Sequence, residues 1–295
     1  MTATIGFVLL THTKPTQTQR LVNRLNVMFD EPPIVCHHDF AKCALPIKEF
    51  PTNVSFVQPP SPTGWGTFPT VEAALRAIKQ MYDAPASPDW FVLLSGSDYP
   101  IKPAATIRSQ LEGSPYDAYI LHDLIQYNNW KDDWWLRLCY ERYCTKTWYY
   151  PSLTKRLRPM RRALVLKHPL LTRPFLPFSD HFRCYAGQFW FTANRRAAEY
   201  ILRFYATRPR LASHYRSSHV PNPEESYFNC VLGNAPGLKL DNNDYRYIDW
   251  SRGGPHPKTL GMEDLPKLLS STDHFARRLD IDHDARILDE LDAAT

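Results

Sequence analysis

The sequence predicts an α/β fold with a mostly parallel central sheet and helices on both faces. Continuous apolar runs at residues 5–11 and 90–94 are typical of strands that are covered on both sides. Segments with helical spacing lie between the predicted strands, as in repeated βαβ units. In such sheets, ligands bind beyond the carboxyl ends of the strands. We therefore expect a site at those ends, starting with the turn at residues 95–100.

The other elements follow in chain order. The first helix is predicted from four apolar residues that share one helical face, Leu21, Val22, Leu25 and Met28. Thr70 is expected to cap the second helix and Asn194 a later one. Further strands are predicted at residues 34–36, 54–57, 118–122, 188–192 and 245–250, and further helices near residues 222, 263 and 284.

Composition predicts one domain, residues 1–295, and excludes several kinds of site. No internal repeat or long linker divides the chain, although its character changes between residues 1–125, 126–185 and 186–295. None of the 11 glycines forms a dinucleotide fingerprint or a P-loop, so a glycine-rich phosphate turn is not expected. The six cysteines lack C-x-x-C spacing and are expected to be free thiols.

The net charge of +5 comes from one segment. No acidic residue occurs between Glu141 and Asp180, whereas nine basic residues do: Arg142, Lys146, Lys155, Arg156, Arg158, Arg161, Arg162, Lys167 and Arg173. Three interpretations stay open: a nucleic-acid surface, a contact with a membrane or an anionic acceptor, and a solvated basic loop. Because no nucleic-acid motif occurs, we expect no nucleic-acid partner, and we keep peripheral membrane contact through residues 142–173. Without an export signal or a long apolar run, the protein is expected to be cytoplasmic, with or without membrane association.

Aromatic residues cluster in the segment before the basic run. Residues 127–150 contain four Trp and five Tyr, mixed with charged residues. Aromatic faces pack against sugars or bases, and each ring taken singly could equally belong to the core. We assign Trp130, Trp134, Trp135 and the later Trp190 to the side of a site that faces an acceptor.

Several segments together resemble one family. They are VLLSGSDYPIK at 92–102, WFTANRR at 190–196, PEESYF at 223–228, YIDW at 247–250, HPKTL at 256–260 and FARRLD at 275–280. In this order they resemble the core-2/I-branching N-acetylglucosaminyltransferases and peptide O-xylosyltransferases, glycosyltransferase family 14. The resemblance implies a GT-A-like fold and inverting transfer of a sugar from a UDP-sugar to a hydroxyl group.

The resemblance also assigns a catalytic base. It falls on Glu225, and Glu224 replaces the aspartate that precedes the base in the N-acetylglucosaminyl branch. A carboxylate suits this role, because inversion requires one group to accept the acceptor's hydroxyl proton. The alternative is structural: Asn222, Pro223 and Glu225 have the spacing of a helix capping box.

The resemblance implies that basic side chains replace a metal ion at the leaving diphosphate. These positions fall on Lys258 and Arg278, with Arg277 adjacent. The turn after residues 90–94 has one acid instead of an Asp-x-Asp motif, and the Asp-x-Asp strings at 280–284 are expected to be a solvated helix cap. No metal or other cofactor is therefore expected. The residues assigned to the nucleotide side are Thr11, His12, Asp39, Ser95 and Asp98.

The resulting hypothesis is a metal-independent glycosyltransferase that uses UDP-GlcNAc or UDP-xylose in bacterial surface polysaccharide synthesis. In it, residues 1–125 bind the nucleotide, 126–185 are an aromatic and basic insert, and 186–295 carry the base and the diphosphate-binding segment. Its expected partners are the UDP-sugar and a glycan or lipid-linked acceptor. Phe189 stands where the xylosyltransferase branch has an aspartate, which disfavours a copy of that mechanism. The alternatives are a non-catalytic carbohydrate-binding or membrane-associated protein on the same fold, and an RNA-binding protein.

Overall fold

The computed structural model describes residues 3–129, 133–150, 162–216, 220–254 and 256–295. The strands are β1 (Ile5–Thr11), β2 (Ile34–His38), β3 (Val54–Phe56), β4 (Trp90–Ser95), β5 (Tyr99–Pro100), β6 (Ala118–Tyr119), β7 (Asp123–Ile125), β8 (Lys146–Tyr150), β9 (Arg162–Leu166), β10 (Cys184–Ala186), β11 (Thr192–Asn194), β12 (Leu240–Asp241), β13 (Arg246–Ile248) and β14 (Phe275–Arg277). The helices are α1 (Pro15–Phe29), α2 (Phe68–Asp83), α3 (Ala104–Glu112), α4 (Trp134–Tyr143), α5 (Pro169–Thr172), α6 (Arg195–Thr207), α7 (Pro209–Tyr215), α8 (Tyr227–Gly233), α9 (Leu265–Ser270) and α10 (Ala285–Ala294).

Seven of the strands form a central sheet in the order β3-β2-β1-β4-β11-β6-β12. Strands β1 to β4 are parallel to their neighbours among themselves, and β11 is antiparallel to β4 and β6. Two buried apolar clusters cover the sheet, one containing α2 and α6 and the other α1 and α10. The predicted α/β fold, with a mostly parallel sheet and helices on both faces, is confirmed. The division of the chain at residues 125 and 185 stays a prediction.

A small second sheet attaches the C-terminal segment to the end of β4. Its order is β13-β14-β5, and β5 lies only a few residues after β4. The Leu279 N–H donates to the Ser97 carbonyl at 2.9 Å. The Gln17 side chain on α1 donates to the carbonyls of Gly96 at 2.8 Å and Leu279 at 3.0 Å. These contacts hold the residues after β14 beside the carboxyl end of β4.

Several predicted boundaries are wrong, among them those of α2 and β11. Helix α2 begins at Phe68, so Thr70 lies inside its first turn instead of capping it. The strand expected at residues 188–192 is β11, which begins only at Thr192. Gly187 and Gln188 bind elsewhere, since the Gly187 N–H donates to the Glu225 carbonyl at 2.8 Å and the Asn229 amide donates to the Gln188 carbonyl at 3.2 Å. The Phe191 carbonyl still accepts from the Leu93 N–H of β4 at 3.0 Å.

Two predicted helix starts are confirmed by their caps. The Asn194 side chain accepts a hydrogen bond from the Ala197 N–H at 3.1 Å at the start of α6. The Asp284 side chain accepts from the Arg286 N–H at 3.2 Å at the start of α10. Each oxygen satisfies a backbone donor that the first helical turn leaves free.

Candidate active site

The PEESYF segment forms a single 3₁₀ turn, Pro223–Glu225, followed by α8. The capping-box alternative is wrong, because Asn222 has a left-handed backbone and makes no side-chain cap hydrogen bond to the residues that the structure describes. Its N–H instead donates to the Gly66 carbonyl at 3.2 Å. Gly66 itself has a positive φ of 70°, which favours glycine. The turn is therefore anchored to the 64–66 loop, and its carboxylates are not used in a helix cap.

Glu225 is half-buried and paired with an arginine. Nη1 of Arg142, on α4, donates to Oε2 of Glu225 at 2.7 Å. Burial raises the pKa of Glu225, and the positive charge of Arg142 opposes this rise. A carboxylate in this balance has a higher affinity for a proton than an exposed glutamate, as a general base requires.

Glu224 has a different environment. It is 7% exposed, and its Oε1 accepts a hydrogen bond from the Gly66 N–H at 2.9 Å. Among the described residues its other oxygen, Oε2, has no hydrogen-bond partner. Burial raises the pKa of Glu224 to about 7. Its contact with Gly66 joins residues that are 158 positions apart, and the sequence pattern contained no signal for it.

An aromatic residue outside the predicted set lies beside this turn. Trp65, between Gly64 and Gly66, is 68% exposed, and its ring centroid lies 5.5 Å from that of His256. Both rings are accessible to a ligand. A Trp between two glycines is the signal in the sequence that could have marked this position.

The tryptophans predicted for the acceptor side are spread over different environments. Trp130 lies outside the described residues. Trp134 is 77% exposed, while Trp135 is half-buried and packs against the core. The indole of Trp190 lies under the guanidinium of Arg277, with Cζ 4.6 Å from the ring centroid. Trp190 therefore borders the residues predicted to bind diphosphate.

Arg277 is held by a buried carboxylate. Its Nε lies 3.6 Å from Oδ1 of Asp98, which is fully buried and also accepts a hydrogen bond from the Ser95 N–H. Burial lowers the pKa of Arg277, and the negative charge of Asp98 opposes this change. Asp98 and Arg277 therefore balance each other at the end of β4, so Arg277 contributes little net charge to its surroundings.

The other two predicted cations differ from each other. Nζ of Lys258 lies 2.7 Å from both carboxylate oxygens of Asp264 and 3.1 Å from Oε1 of Glu263. Arg278 is half-buried and forms no ion pair with any residue in the described ranges. Burial lowers the pKa of His12, and the positive charge of Arg278 adds to this effect. Arg278 is thus the predicted cation whose charge is least compensated.

The residues assigned to the nucleotide side lie at neighbouring strand ends. The Thr11 hydroxyl bonds to Nδ1 of His38 at 2.8 Å, and the Asp39 N–H donates to the Thr11 carbonyl at 2.9 Å. Although burial opposes its ionisation, hydrogen bonds from the N–H and hydroxyl of Thr63 lower the pKa of Asp39. The Ser95 hydroxyl lies 3.0 Å from that of Ser97 on β4's turn. The ends of β1, β2 and β4 therefore form a polar edge.

The acidic strings near the C-terminus are occupied by other contacts. Asp280 and Asp282 pair with Lys14, and Asp284 caps α10. Among the described residues, no group of three His, Cys, Asp or Glu side chains is arranged to hold a metal ion. In the same residues, no helix is both long and apolar enough to cross a bilayer.

Comparisons with known proteins identify the family. A model of the Core-2/I-Branching enzyme family matches residues 7–269. Two curated relatives from Arabidopsis thaliana are the β-glucuronosyltransferases GlcAT14A, 25% identical over 76% of this chain and 46% of its own length, and GlcAT14B, 24% identical over 70% and 43%. The chain thus spans less than half the length of these relatives.

Among solved structures, mouse xyloside xylosyltransferase 1 is 10% identical, covers 92% of this chain and 97% of its own, and has a TM-score of 0.32. The family model carries the assignment, since it matches well over half of the chain, and the segments predicted to resemble glycosyltransferase family 14 lie mostly within the matched range. The chain therefore belongs to the Core-2/I-Branching enzyme family, glycosyltransferase family 14.

Proposed function

We propose that this protein is an inverting glycosyltransferase that moves a sugar from a UDP-sugar to a hydroxyl group of a glycan, without a metal ion. The observation that carries the proposal is the pair formed by Glu225 and Arg142 at 2.7 Å. It gives a member of a glycosyltransferase family a half-buried carboxylate with raised proton affinity at the position that the family resemblance assigns to the base.

In the proposed reaction, Glu225 accepts the proton of the acceptor hydroxyl as the hydroxyl oxygen attacks the anomeric carbon. The bond between that carbon and the β-phosphate oxygen breaks, and UDP leaves with the electron pair. A single displacement of this kind inverts the anomeric configuration. General base catalysis typically contributes about 10²–10⁴-fold to the rate.

Cations replace a metal ion in this proposal. Arg278, the least compensated of the predicted cations, binds the leaving diphosphate. Lys258 also binds it, while Asp264 and Glu263 hold the Lys258 ammonium group in position. Fixed cations stabilise the charge that develops on the leaving group without reorganisation. Arg277 and Asp98 act as a scaffold that holds the adjacent Arg278 in place.

Three UDP-sugars are candidate donors. UDP-GlcNAc and UDP-xylose are the donors expected from the family resemblance, and the names of the curated relatives add UDP-glucuronic acid. We propose a surface glycan or a lipid-linked glycan as the acceptor and the cytoplasmic side of a membrane as the place of action.

A donor screen tests the function directly. The chain is incubated with each of the three UDP-sugars, and released UDP is measured with and without EDTA. We expect release from one donor well above the other two, unchanged by EDTA. Release that EDTA abolishes and only Mn²⁺ restores would contradict the metal-free mechanism. Binding of glycans with no release from any donor would instead favour the non-catalytic carbohydrate-binding alternative.

A further inference from the structure

An exposed apolar surface lies outside the candidate active site. Strands β8 and β9 form an isolated two-stranded hairpin, in which Trp148 pairs with Leu164 and Thr147 with Val165. Helix α5 follows directly. The exposed fractions on these elements are 36% for Trp148, 56% for Leu164, 73% for Leu170, 54% for Leu171 and 49% for Phe175. We call these five residues the hairpin surface. Val165, which is 41% exposed, lies on the opposite face of the hairpin, because successive residues of a strand alternate between its two faces.

The hairpin surface is continuous across two elements. The ring centroids of Trp148 and Phe175 lie 5.1 Å apart in an edge-to-face arrangement, which joins the hairpin to the segment after α5. A soluble domain exposes single apolar side chains routinely, but a cluster of this size marks an interaction site. We therefore expect the hairpin surface to bind a partner that can bury these apolar side chains.

The charge of the same segment defines that partner further. Lys146 lies over the ring of Trp148, 5.7 Å from its centroid. Lys167 and Arg173 pair with Glu141 and Asp180, which stand at the two ends of the acid-free run. Besides these cations and Arg142, the stretch between Glu141 and Asp180 contains five basic residues and no acidic one: Lys155, Arg156, Arg158, Arg161 and Arg162. The partner should therefore be anionic as well as apolar.

We propose that the hairpin surface docks on an anionic lipid bilayer. Tryptophan is enriched at the bilayer interface, leucines enter the boundary between headgroups and acyl chains, and nearby basic residues are attracted to anionic headgroups. A single-stranded nucleic acid would match the charge and the aromatic rings. It would leave Leu164, Leu170 and Leu171 without a matching partner, because aliphatic side chains have no face on which bases stack.

Docking in this way would bring the candidate base close to the bilayer. Helix α4 carries Arg142, the partner of Glu225, and β8 begins only four residues after it at Lys146. If the proposed function holds, a lipid-linked acceptor would reach Glu225 from the membrane surface. Lipid binding itself depends on neither a donor nor catalysis, so a negative result in the donor screen leaves this proposal standing.

Vesicle sedimentation tests the proposal with the full chain. The wild type is mixed with phosphatidylcholine vesicles that contain or lack 30% phosphatidylglycerol. We expect binding to the anionic vesicles that weakens at high salt. The triple variant Leu164→Ser/Leu170→Ser/Leu171→Ser should lower the affinity at least about tenfold, because three inserted side chains are lost. The matched control is Val27→Ser, since Val27 is 78% exposed on α1, far from the hairpin in sequence.

The outcomes are distinct. Salt-sensitive binding that the triple variant loses and Val27→Ser keeps would support the proposal. Equal binding by the triple variant, equal binding to both vesicle types, or no sedimentation with either would overturn it. Binding to single-stranded RNA with higher affinity than to anionic vesicles would also overturn it and favour a nucleic-acid partner. Circular dichroism of each variant confirms that these exposed substitutions leave the fold intact.

Discussion

The turn that carries Glu224 and Glu225 and the end of β4 contain similar charged residues, but these charges are balanced differently. At the turn, two carboxyl groups, Glu224 and Glu225, share one nearby cation, Arg142, and burial raises the pKa of both carboxyls. At the end of β4, buried Asp98 faces half-buried Arg277. An excess of carboxylate favours proton uptake, whereas a matched pair provides a rigid support. The same chemical groups are therefore suited to catalysis in one place and to scaffolding in the other.

Arg246 and Asp244, both buried, interact with Asp98 and Arg277 through their charges. Nη1 of Arg246 donates to the Asp244 carbonyl at 2.8 Å, and its guanidinium lies 5.0 Å from the centre of the Phe275 ring. Burial raises the pKa of Asp244 to about 6 and lowers that of Arg246. Buried charges of this kind are costly to unpair. We therefore expect the positive potential at a bound diphosphate to come from Arg278 and not from Arg277 or Arg246.

The largest effect should follow removal of the proposed base. Glu225→Gln keeps the shape of the side chain but cannot accept a proton. We expect transfer to fall by about two to four orders of magnitude, while UDP binding is unchanged. Steady-state transfer and UDP titration calorimetry measure the two quantities.

The matched control for this prediction is the neighbouring residue. Glu224→Gln retains an oxygen that can accept from the Gly66 N–H, so it should retain most of the transfer rate. If Glu225→Gln turns over at a near-normal rate, or if Glu224→Gln is the more damaging change, the assignment of the base is wrong.

The second prediction concerns stability and uses the buried position of Glu224. Its pKa is raised from 4.5 to about 7. Between these pH values the folded protein keeps a proton that the unfolded chain has lost, so this residue makes stability fall as pH rises. Above pH 7, the ionisation of buried Glu224 lowers the free energy of unfolding by about 3 kcal/mol.

Urea unfolding of the wild type and of Glu224→Gln at pH 5 and pH 8 measures this contribution. The neutral variant lacks the dependence, so the difference in unfolding free energy between the two proteins should change by up to about 3 kcal/mol in favour of the variant at pH 8. Because Glu225 and Asp244 titrate in both proteins, the difference isolates Glu224. If the unfolding free energies of the two proteins change equally with pH, the pKa of Glu224 is not raised in the folded protein.

The third prediction separates the two cations of the diphosphate side. Arg278→Ala should raise the KM for the UDP-sugar about 10- to 100-fold, because a hydrogen bond to a charged group contributes about 1.5–3 kcal/mol. Lys258→Ala should have the smaller effect on KM, since its charge is already compensated by Asp264 and Glu263. Donor titrations of both variants decide this order. A larger effect at Lys258 would mean that its carboxylates release it when the donor binds.

The sequence predicts the elements that bury continuous apolar runs. Strand β1 has its predicted bounds, 5–11, and β4 differs by one residue, because strands covered on both faces are apolar throughout. Strands β5 and β14 have two and three residues, which is too short for any periodicity. The sheet that carries Arg277 was therefore not predicted as a sheet, although its residues were recognised.

The site was predicted as residues but not as contacts. The base position lies in a motif that a reader of sequence can match, whereas the clamp between Glu224 and Gly66 depends on chain segments 158 positions apart. The left-handed backbone of Asn222 also excludes the capping box that its spacing suggests. Lys258 was assigned to the diphosphate, and its contact with the carboxylate of Asp264 is visible only in three dimensions.

The smallest expected effect concerns the control of the Glu225 pKa by Arg142. Burial raises the pKa of Glu225, and Arg142 opposes the rise through its charge and its hydrogen bond. Arg142→Met removes this opposition, so the pKa of Glu225 should rise further. Because the base must be ionised to act, the acidic limb of the kcat/KM profile should move to higher pH, with activity recovering toward that of the wild type in alkaline buffer.

Arg142→Lys restores a positive charge and should place the limb between the two. Lys167→Met, which breaks an exposed ion pair with Glu141, is the matched control and should leave the limb in place. A uniform loss of rate at every pH in Arg142→Met would show instead that Arg142 only positions the turn.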